Sequence, residues 1–481
     1  MINGNPQVEI ENVQYDSRLI KPDGLFIAVK GFKQNGYDFV DQATRNGAVA
    51  VMGERSEVHG IDTHVTVPDV RKAMATVGAE FYGYPGLKMT AYGVTGTNGK
   101  TTTCYLLKNI LRAAGVVTGM VTSQVYDNGS ESFRAERTTP ESLDLQRLLA
   151  QMVRNDCTSA VIEVSSHALI LSRVEHIDFK VAVYTNITRD HLDFHKTMDE
   201  YLRAKSMLAE RVAAAKGRVV VNLDVAEFRP LLKLKQATVT TYSLEDSEAD
   251  VYCRSYDIRP DGTSMELVTP AGSATVDYRL AGRFNLANGV AAVAAGVAGE
   301  IDTAAIVKGL EAASSVPGRF NYIGCGQPFA IYIDYAHTPD AIERLCQSAR
   351  EISTGRLMIL FGCGGDRDRG KRPLMGKAAT EHADYAVVTS DNPRSEDPAD
   401  IIEDIKPGLA GNNYEICPDR AEAIGKVIEM AEPGDVVLLA GKGDENYQEI
   451  LGTRHPFSDS EEAMKTLARL GYNQVDTERE N

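Results

Sequence analysis

The chain has 481 residues, too many for one hydrophobic core, so about two to four domains are expected. With 43% hydrophobic and 25% charged residues the composition is globular, and a formal charge of −16 argues against a general nucleic-acid binder, whose surface would be basic. Seven scattered cysteines form no C-x-x-C pair, which disfavours a disulfide framework or zinc ribbon and suits a reducing cytoplasm. No run approaches the roughly 18 apolar residues of a membrane span. The opening "MINGNPQVEIENVQYDSR" lacks the basic flank and apolar core of a signal peptide. A soluble cytoplasmic protein is expected, with neither nucleic acid nor membrane as partner.

Residues 1–88 hold short mixed strands such as "GLFIAV" (24–29) and "AVAVMG" (48–53). In residues 89–314 strands and helices alternate. "KMTAYGV" predicts a buried strand, and "TTTCYLLKNILRAAG" a helix with Leu106, Leu107, Ile110 and Leu111 on one face and a stop at Gly115. "SAVIEV" (159–164), "KVAVYTN" (180–186) and "GRVVVN" (217–222) continue the pattern of a parallel sheet covered by helices. A third segment, 315–481, places "AIYIDY" (330–335), "RLMILFG" (356–362), "DYAVVTS" (384–390) and "DVVLLAG" (435–441) before polar loops and helices. The expected architecture is α/β in three domains: a small mixed N-terminal domain, a central parallel sheet of the P-loop ATPase kind, and a Rossmann-like doubly wound C-terminal domain, where ligands collect at strand C-termini.

Between the strand and helix near residue 95 stands "GVTGTNGKTTT" (93–103). The common phosphate loop G-x-x-x-x-G-K-[ST] wants glycine six residues before the lysine, and here that position is Val94. The context still favours a phosphate site. Glycines 93, 96 and 99 allow backbone N–H groups close to an anion, and the helix N-terminus adds positive potential. Lys100 reaches terminal phosphates, and Thr101 or Thr102 offers a hydroxyl to Mg²⁺.

Six motifs then follow in order: that loop, "EVSSHAL" (163–169), "NITRDHLDFH" (186–195), "GRFNLANGVAA" (282–292), "VPGRF" (316–320) and "DYAHTPD" (334–340). Together they resemble the Mur ligases, ATP-dependent amide-bond-forming enzymes of peptidoglycan synthesis, over essentially the whole length. "DSR" (16–18), "TTPES" (138–142), "GCGGDRDRGKRPLM" (362–375), "DNPR" (391–394) and "GKGDENYQ" (441–448) look like the branch of that family that adds the third residue of the stem peptide.

The resemblance implies ATP and Mg²⁺ as cofactors, an acyl-phosphate intermediate, and domain closure around a nucleotide held by two domains. Gly96, Thr97, Asn98, Gly99, Lys100, Thr101 and Thr102 would hold the phosphates, with Asn285, Asn288, Arg319, Asp334 and His337 completing the nucleotide site. Glu163 and His191 would bind metal, beside Lys205 in a carbamylated form that adds oxygen ligands, and Lys100 joins these three in catalysis. Residue pattern alone reads His191 as a local hydrogen-bonding histidine and Lys205 as a solvated lysine. Ser17, Thr138, Thr139, Ser165, Arg173 and Lys205 would bind UDP-MurNAc-L-Ala-D-Glu. Leu171 departs from the family, which commonly has glutamine there, and "KPDGLF" inverts its "PGD".

For the incoming diamino acid the matching positions are Arg372, Asp391, Asn392, Pro393, Arg394, Gly441 and Glu445. Arg394 would pair with the distal carboxylate of meso-diaminopimelate and repel the bare ammonium of L-lysine or L-ornithine. Asp444, where these ligases usually carry histidine, pulls toward a simple diamine. "GCGGDR" is a weak dinucleotide signal, because the third glycine of that fingerprint is Arg367. Two further readings stay open: a folylpolyglutamate-type ligase, and a non-catalytic nucleotide-dependent sensor. A monomer is expected.

Overall fold

The protein is described from a computed structural model, covering residues 1–32, 34–313 and 315–472; position 314 and the end of the third expected segment, 473–481, lie outside the described residues. The chain divides into two compact bodies. One comprises Met1–Tyr252, Thr269–Gly272 and Val290–Gly309; the other comprises Cys253–Val268, Ser273–Gly289 and the chain from Leu310 onward.

The first body opens with a five-stranded sheet ordered Ile2–Asn3, Thr63–Thr66, Ala48–Gly53, Gly24–Ile27, Asn12–Gln14, parallel except for its first strand. Its second sheet contains the parallel run Thr238–Ser243, Arg218–Asn222, Phe179–Tyr184, Thr90–Thr95, Ser159–Glu163, Thr118–Val121. Val161, Ile162, Val183, Val219 and Val220 are all fully buried, as continuous apolar strands covered on both faces must be. Register sets up the site. Glu163 lies opposite Val94, and Tyr184 opposite Thr95, so the ends of three adjacent strands are level. The helix Lys100–Ala113 buries Leu106, Leu107, Ile110 and Leu111, the face predicted from their spacing.

In the second body six strands are ordered Asn321–Ile323, Ala330–Asp334, Val436–Ala440, Leu357–Phe361, Tyr385–Val388, Tyr414–Ile416, parallel after the first. Helices Pro339–Arg350, Lys371–His382 and Arg420–Glu429 alternate with them. The strands ending at Ala440, Phe361 and Val388 are neighbours inside the sheet and run parallel, so the loops after them lie side by side at the strand C-termini. Sequence analysis missed the strands Val251–Arg259, Gly262–Thr269 and Gly272–Tyr278, and a hairpin pairing Tyr447–Ile450 with Thr453–Pro456.

A buried ion pair ties this body together. Arg420 donates through Nε and Nη2 to Asp459 at 2.7 and 2.6 Å, with neither side chain exposed. The same guanidinium donates to the carbonyls of Ser390 and Ala440, just beyond one strand and at the end of another. Arg420→Met, which strands the Asp459 carboxylate, is expected to lower stability by about 3–5 kcal/mol in chemical denaturation. A change below about 1 kcal/mol would contradict that role.

Candidate active site

The loop between Thr95 and Lys100 is shaped by two left-handed glycines. Gly99 caps the helix at φ +81°. Gly96 sits at φ +150°, where an added Cβ would meet Thr185 Oγ1 at 1.9 Å, so a side chain is excluded. Asn98 N donates to Asn186 Oδ1 at 2.9 Å, and Thr185 Oγ1 donates to Asn98 O at 2.7 Å, pinning the loop to the neighbouring strand end. Thr97 Oγ1 contacts Tyr201 Oη and Thr188 O, each at 3.2 Å.

Lys100 Nζ donates to Thr97 O at 2.7 Å and lies 3.8 Å from Glu163 Oε1. Glu163, buried at its strand end, accepts at Oε2 from Thr101 Oγ1 at 2.9 Å and from Ser123 N at 3.0 Å. Thr102 is buried in the same helical turn. A carboxylate, a hydroxyl and an ammonium thus meet where this glycine loop enters its helix.

Lys205 contradicts the solvated reading of its helix. It is 1% exposed, and its Nζ donates to Gly96 O at 2.6 Å and lies 4.5 Å from the Tyr201 ring centre. Burial, with Lys100's charge adding, pushes its pKa well below the usual lysine value. His191 takes a left-handed backbone (φ 54°) and places Nε2 3.4 Å from Asp190 Oδ2. Its ring lies 5.0 Å from that of His167 and 6.1 Å from Tyr201. Burial lowers the pKa of His191, and that of His167 to about 4. Neutral imidazoles keep a lone pair available.

The expected acceptor residues split. Thr139 Oγ1 donates to Glu163 O at 2.8 Å and contacts Ser165 Oγ at 3.3 Å; Arg173 Nη1 donates to Thr139 O at 3.0 Å. Thr138 is half-buried beside them in the chain. Sequence analysis missed Glu141, the centre of this cluster. It accepts from Arg173 and Arg137 at 2.7 Å and from Arg71 at 3.1 Å, so three guanidiniums share one carboxylate. Arg173 Nε is buried without a partner among the described residues. Ser17 donates to Gln42 Oε1 at 2.8 Å. Leu171 closes the helix Ser166–Ile170 through its backbone N–H to His167 O.

In the second body Asn285 and Asn288 are buried with their amides used locally. Asn285 donates to Ala281 O at 2.8 Å, and Asn288 donates to Asn285 Oδ1 at 3.3 Å. Asp334 accepts from the backbone N–H groups of Phe320 and Ala336 at 2.8 Å, and burial raises its pKa against the pull of Arg319. Arg319 stands 5.6 Å from the Tyr335 ring centre, and His337 Nδ1 contacts Tyr335 O at 2.8 Å.

Of the residues expected at the amino-acid site, Asn392 and Glu445 meet directly. Asn392 Nδ2 donates to Glu445 Oε2 at 2.7 Å. Asp391, Asn392 and Pro393 are buried, and Arg394 turns through φ 53° while its Nη1 donates to Gly365 O at 2.7 Å. The hairpin backs this loop: Arg394 N donates to Glu449 O, and Gln448 Nε2 to Asp391 O at 2.7 Å. Gly441 sits at φ +113° against Asp391 Oδ2. Arg372 is wholly buried and grips Glu396 through both Nη atoms and Asp404 through one, its Nε without a partner among the described residues.

That grip has a pH signature. Hydrogen bonding to Arg372 pulls the Glu396 pKa from 4.5 down to about 2. The stabilisation is therefore whole above about pH 4.5 and lost as pH falls toward 2. Glu396→Gln is expected to flatten the acid limb of a denaturation-midpoint profile; an unchanged limb would contradict the coupling.

Comparison with known proteins decides the family. The chain matches the Mur ligase family catalytic domain over residues 9–82, the Mur ligase middle domain over 94–296 and the Mur ligase glutamate ligase domain over 318–443. The chain belongs to the Mur ligase family. A UDP-N-acetylmuramoyl-L-alanyl-D-glutamate–2,6-diaminopimelate ligase of Bacillus licheniformis is 40% identical over 472 residues, 97% of this chain and 96% of that one. Its counterpart in Syntrophomonas wolfei is 42% identical over 464 residues, 95% of each chain. A solved structure of a ligase of that name superposes with a TM-score of 0.69 at 34% identity, covering 97% of this chain and 96% of the other. The three-domain α/β fold of Mur ligases is therefore this chain's fold.

Metal binding can be tested on donor chemistry. Among the described residues no group of three His, Cys, Asp or Glu could hold an ion by itself. Glu163 and the Thr101 hydroxyl nevertheless offer hard oxygen donors beside a phosphate loop, which suits Mg²⁺ completed by nucleotide oxygens. Among the described residues no helix is long and apolar enough to cross a membrane.

Proposed function

We propose that this Mur ligase is an ATP-dependent acid–amino-acid ligase of peptidoglycan synthesis. It joins the D-glutamyl carboxylate of UDP-MurNAc-L-Ala-D-Glu to an amine of meso-diaminopimelate, releasing ADP and phosphate. The observation that carries the reading is the convergence of Lys100, Thr101, Glu163 and buried Lys205 on one phosphate loop. The names of relatives over 95–97% of the chain support the substrates.

Lys100 and the loop N–H groups would hold the terminal phosphates and stabilise charge as the γ-phosphoryl passes to the acceptor carboxylate. Glu163 and Thr101 would hold Mg²⁺, with His191 and Lys205 at a second ion; Mg²⁺ supplies charge neutralisation when bound. Carbamylation of Lys205 joins its neutral amine to CO₂ with loss of a proton, and burial favours that amine. Thr139, Ser165 and Arg173, with Thr138 and Ser17, are assigned to the acceptor; the unmatched Arg173 Nε suits an anionic group. Asn285, Asn288, Arg319, Asp334 and His337 are assigned to the nucleotide. Arg394, with Arg372, Asp391, Asn392, Pro393, Gly441 and Glu445, would read the diamino acid. The protein is taken to act as a cytoplasmic monomer. Asp444 favours a second reading, with L-ornithine or L-lysine as the amine.

Labelling the acceptor carboxylate with ¹⁸O tests the chemistry. One ¹⁸O is expected in each phosphate released. Unlabelled phosphate with full product formation would overturn the acyl-phosphate route.

A further inference from the structure

The turn Gly441–Lys442–Gly443 drives a lysine inward. Both glycines have left-handed φ, +113° and +56°. A Cβ on Gly441 would lie 2.7 Å from Asp391 Oδ2, and one on Gly443 3.0 Å from the Tyr335 side chain. Lys442 between them is fully buried. Its Nζ donates to Tyr447 O at 2.6 Å and stands 3.3 Å from Glu445 Oε2 and 3.4 Å from Asn392 Oδ1. Glu445 Oε2 also accepts from Asn392 Nδ2. The two residues flanking the proposed diamino-acid pocket thus share the Nζ of one buried lysine.

We infer that Lys442 biases the amino-acid site against a side chain ending in a bare ammonium, acting through Glu445 and Asn392 without touching the substrate. The inference rests on the ligase reading above. Glu445 is the carboxylate to which such an ammonium would turn. Lys442 already sits on it at salt-bridge distance, so a second cation meets like charge as well as a carboxylate partly neutralised in advance. Meso-diaminopimelate brings a carboxylate with its distal ammonium, and its end group carries no net charge to oppose Lys442. Selection is therefore distributed: Arg394 attracts the distal carboxylate, and Lys442 disfavours its absence. A positioning role alone would affect both amino acids alike. A charge role changes their ratio, and in one direction.

Lys442→Met and Lys442→Gln in the full chain test this; glutamine retains a donor for Tyr447 O. The ratio of kcat/KM for meso-diaminopimelate over L-lysine is expected to fall about tenfold in both, against an unchanged KM for ATP. A ratio within twofold of the parent, or one shifted toward diaminopimelate, would overturn the inference. Should both variants misfold, the unmodified enzyme still decides. L-Norleucine, which lacks the terminal charge, should compete with diaminopimelate at lower concentration than L-lysine does, and the reverse order would overturn the inference. A parent enzyme that turns over neither diamino acid would remove the ligase reading as well, which separates the two failures.

Discussion

Lys205→Met is expected to lower kcat by about 10²–10³-fold with little change in thermal stability. The side chain is 1% exposed and its ammonium donates to Gly96 O. Methionine fills nearly the same volume, and replacing a buried charge by an apolar group of similar size is often neutral for folding. What disappears is a nitrogen at the phosphate loop, near enough to Lys100 and Glu163 for their charges to act on it. Phosphate release measured beside a melting curve separates the two effects. A variant with activity within about twofold of the parent would remove Lys205 from the reaction.

Arg394→Asn is expected to reduce kcat/KM for meso-diaminopimelate by about 10²–10³-fold, the range for losing one partner of a desolvated charge pair. Asparagine is the appropriate replacement because residue 394 has φ 53°, which asparagine tolerates better than alanine. The backbone links of Arg394 to Glu449 and Leu451 are unaffected by the change. Turnover of L-lysine should hold or rise, because a repelling cation has gone. Equal losses for both amino acids would show that the loop was disturbed and that Arg394 does not select.

Sequence patterning revealed the sheets because parallel strands covered on both faces are written as apolar runs, as in "SAVIE" and "LMILF". It placed the loop around Gly96 and Gly99 between a strand and a helix, which is where the structure has it, because glycines and a lysine at such a junction mark a tight turn. It misread Lys205, whose helix shows apolar positions around a lysine but cannot show that Gly96 O and Tyr201 await the ammonium. Glu141 was visible inside "TTPES", yet Arg71 and Arg173 lie 70 and 32 residues away, and their meeting is a product of tertiary packing. Lys442 stands inside "GKGDENYQ" with no mark of its burial, for the same reason. The hairpin Tyr447–Pro456 was missed because its residues alternate in no hydrophobic pattern; its strands are half-buried or exposed throughout.

Amino-acid-dependent phosphate release tests the central claim most directly, with ATP, Mg²⁺ and UDP-MurNAc-L-Ala-D-Glu, comparing meso-diaminopimelate, L-lysine and L-ornithine with mass detection of each product. The account predicts that diaminopimelate is much the best substrate and that product carries its added mass. Preference for lysine or ornithine would contradict the selector role of Arg394, and turnover with none of the three would contradict the ligase itself.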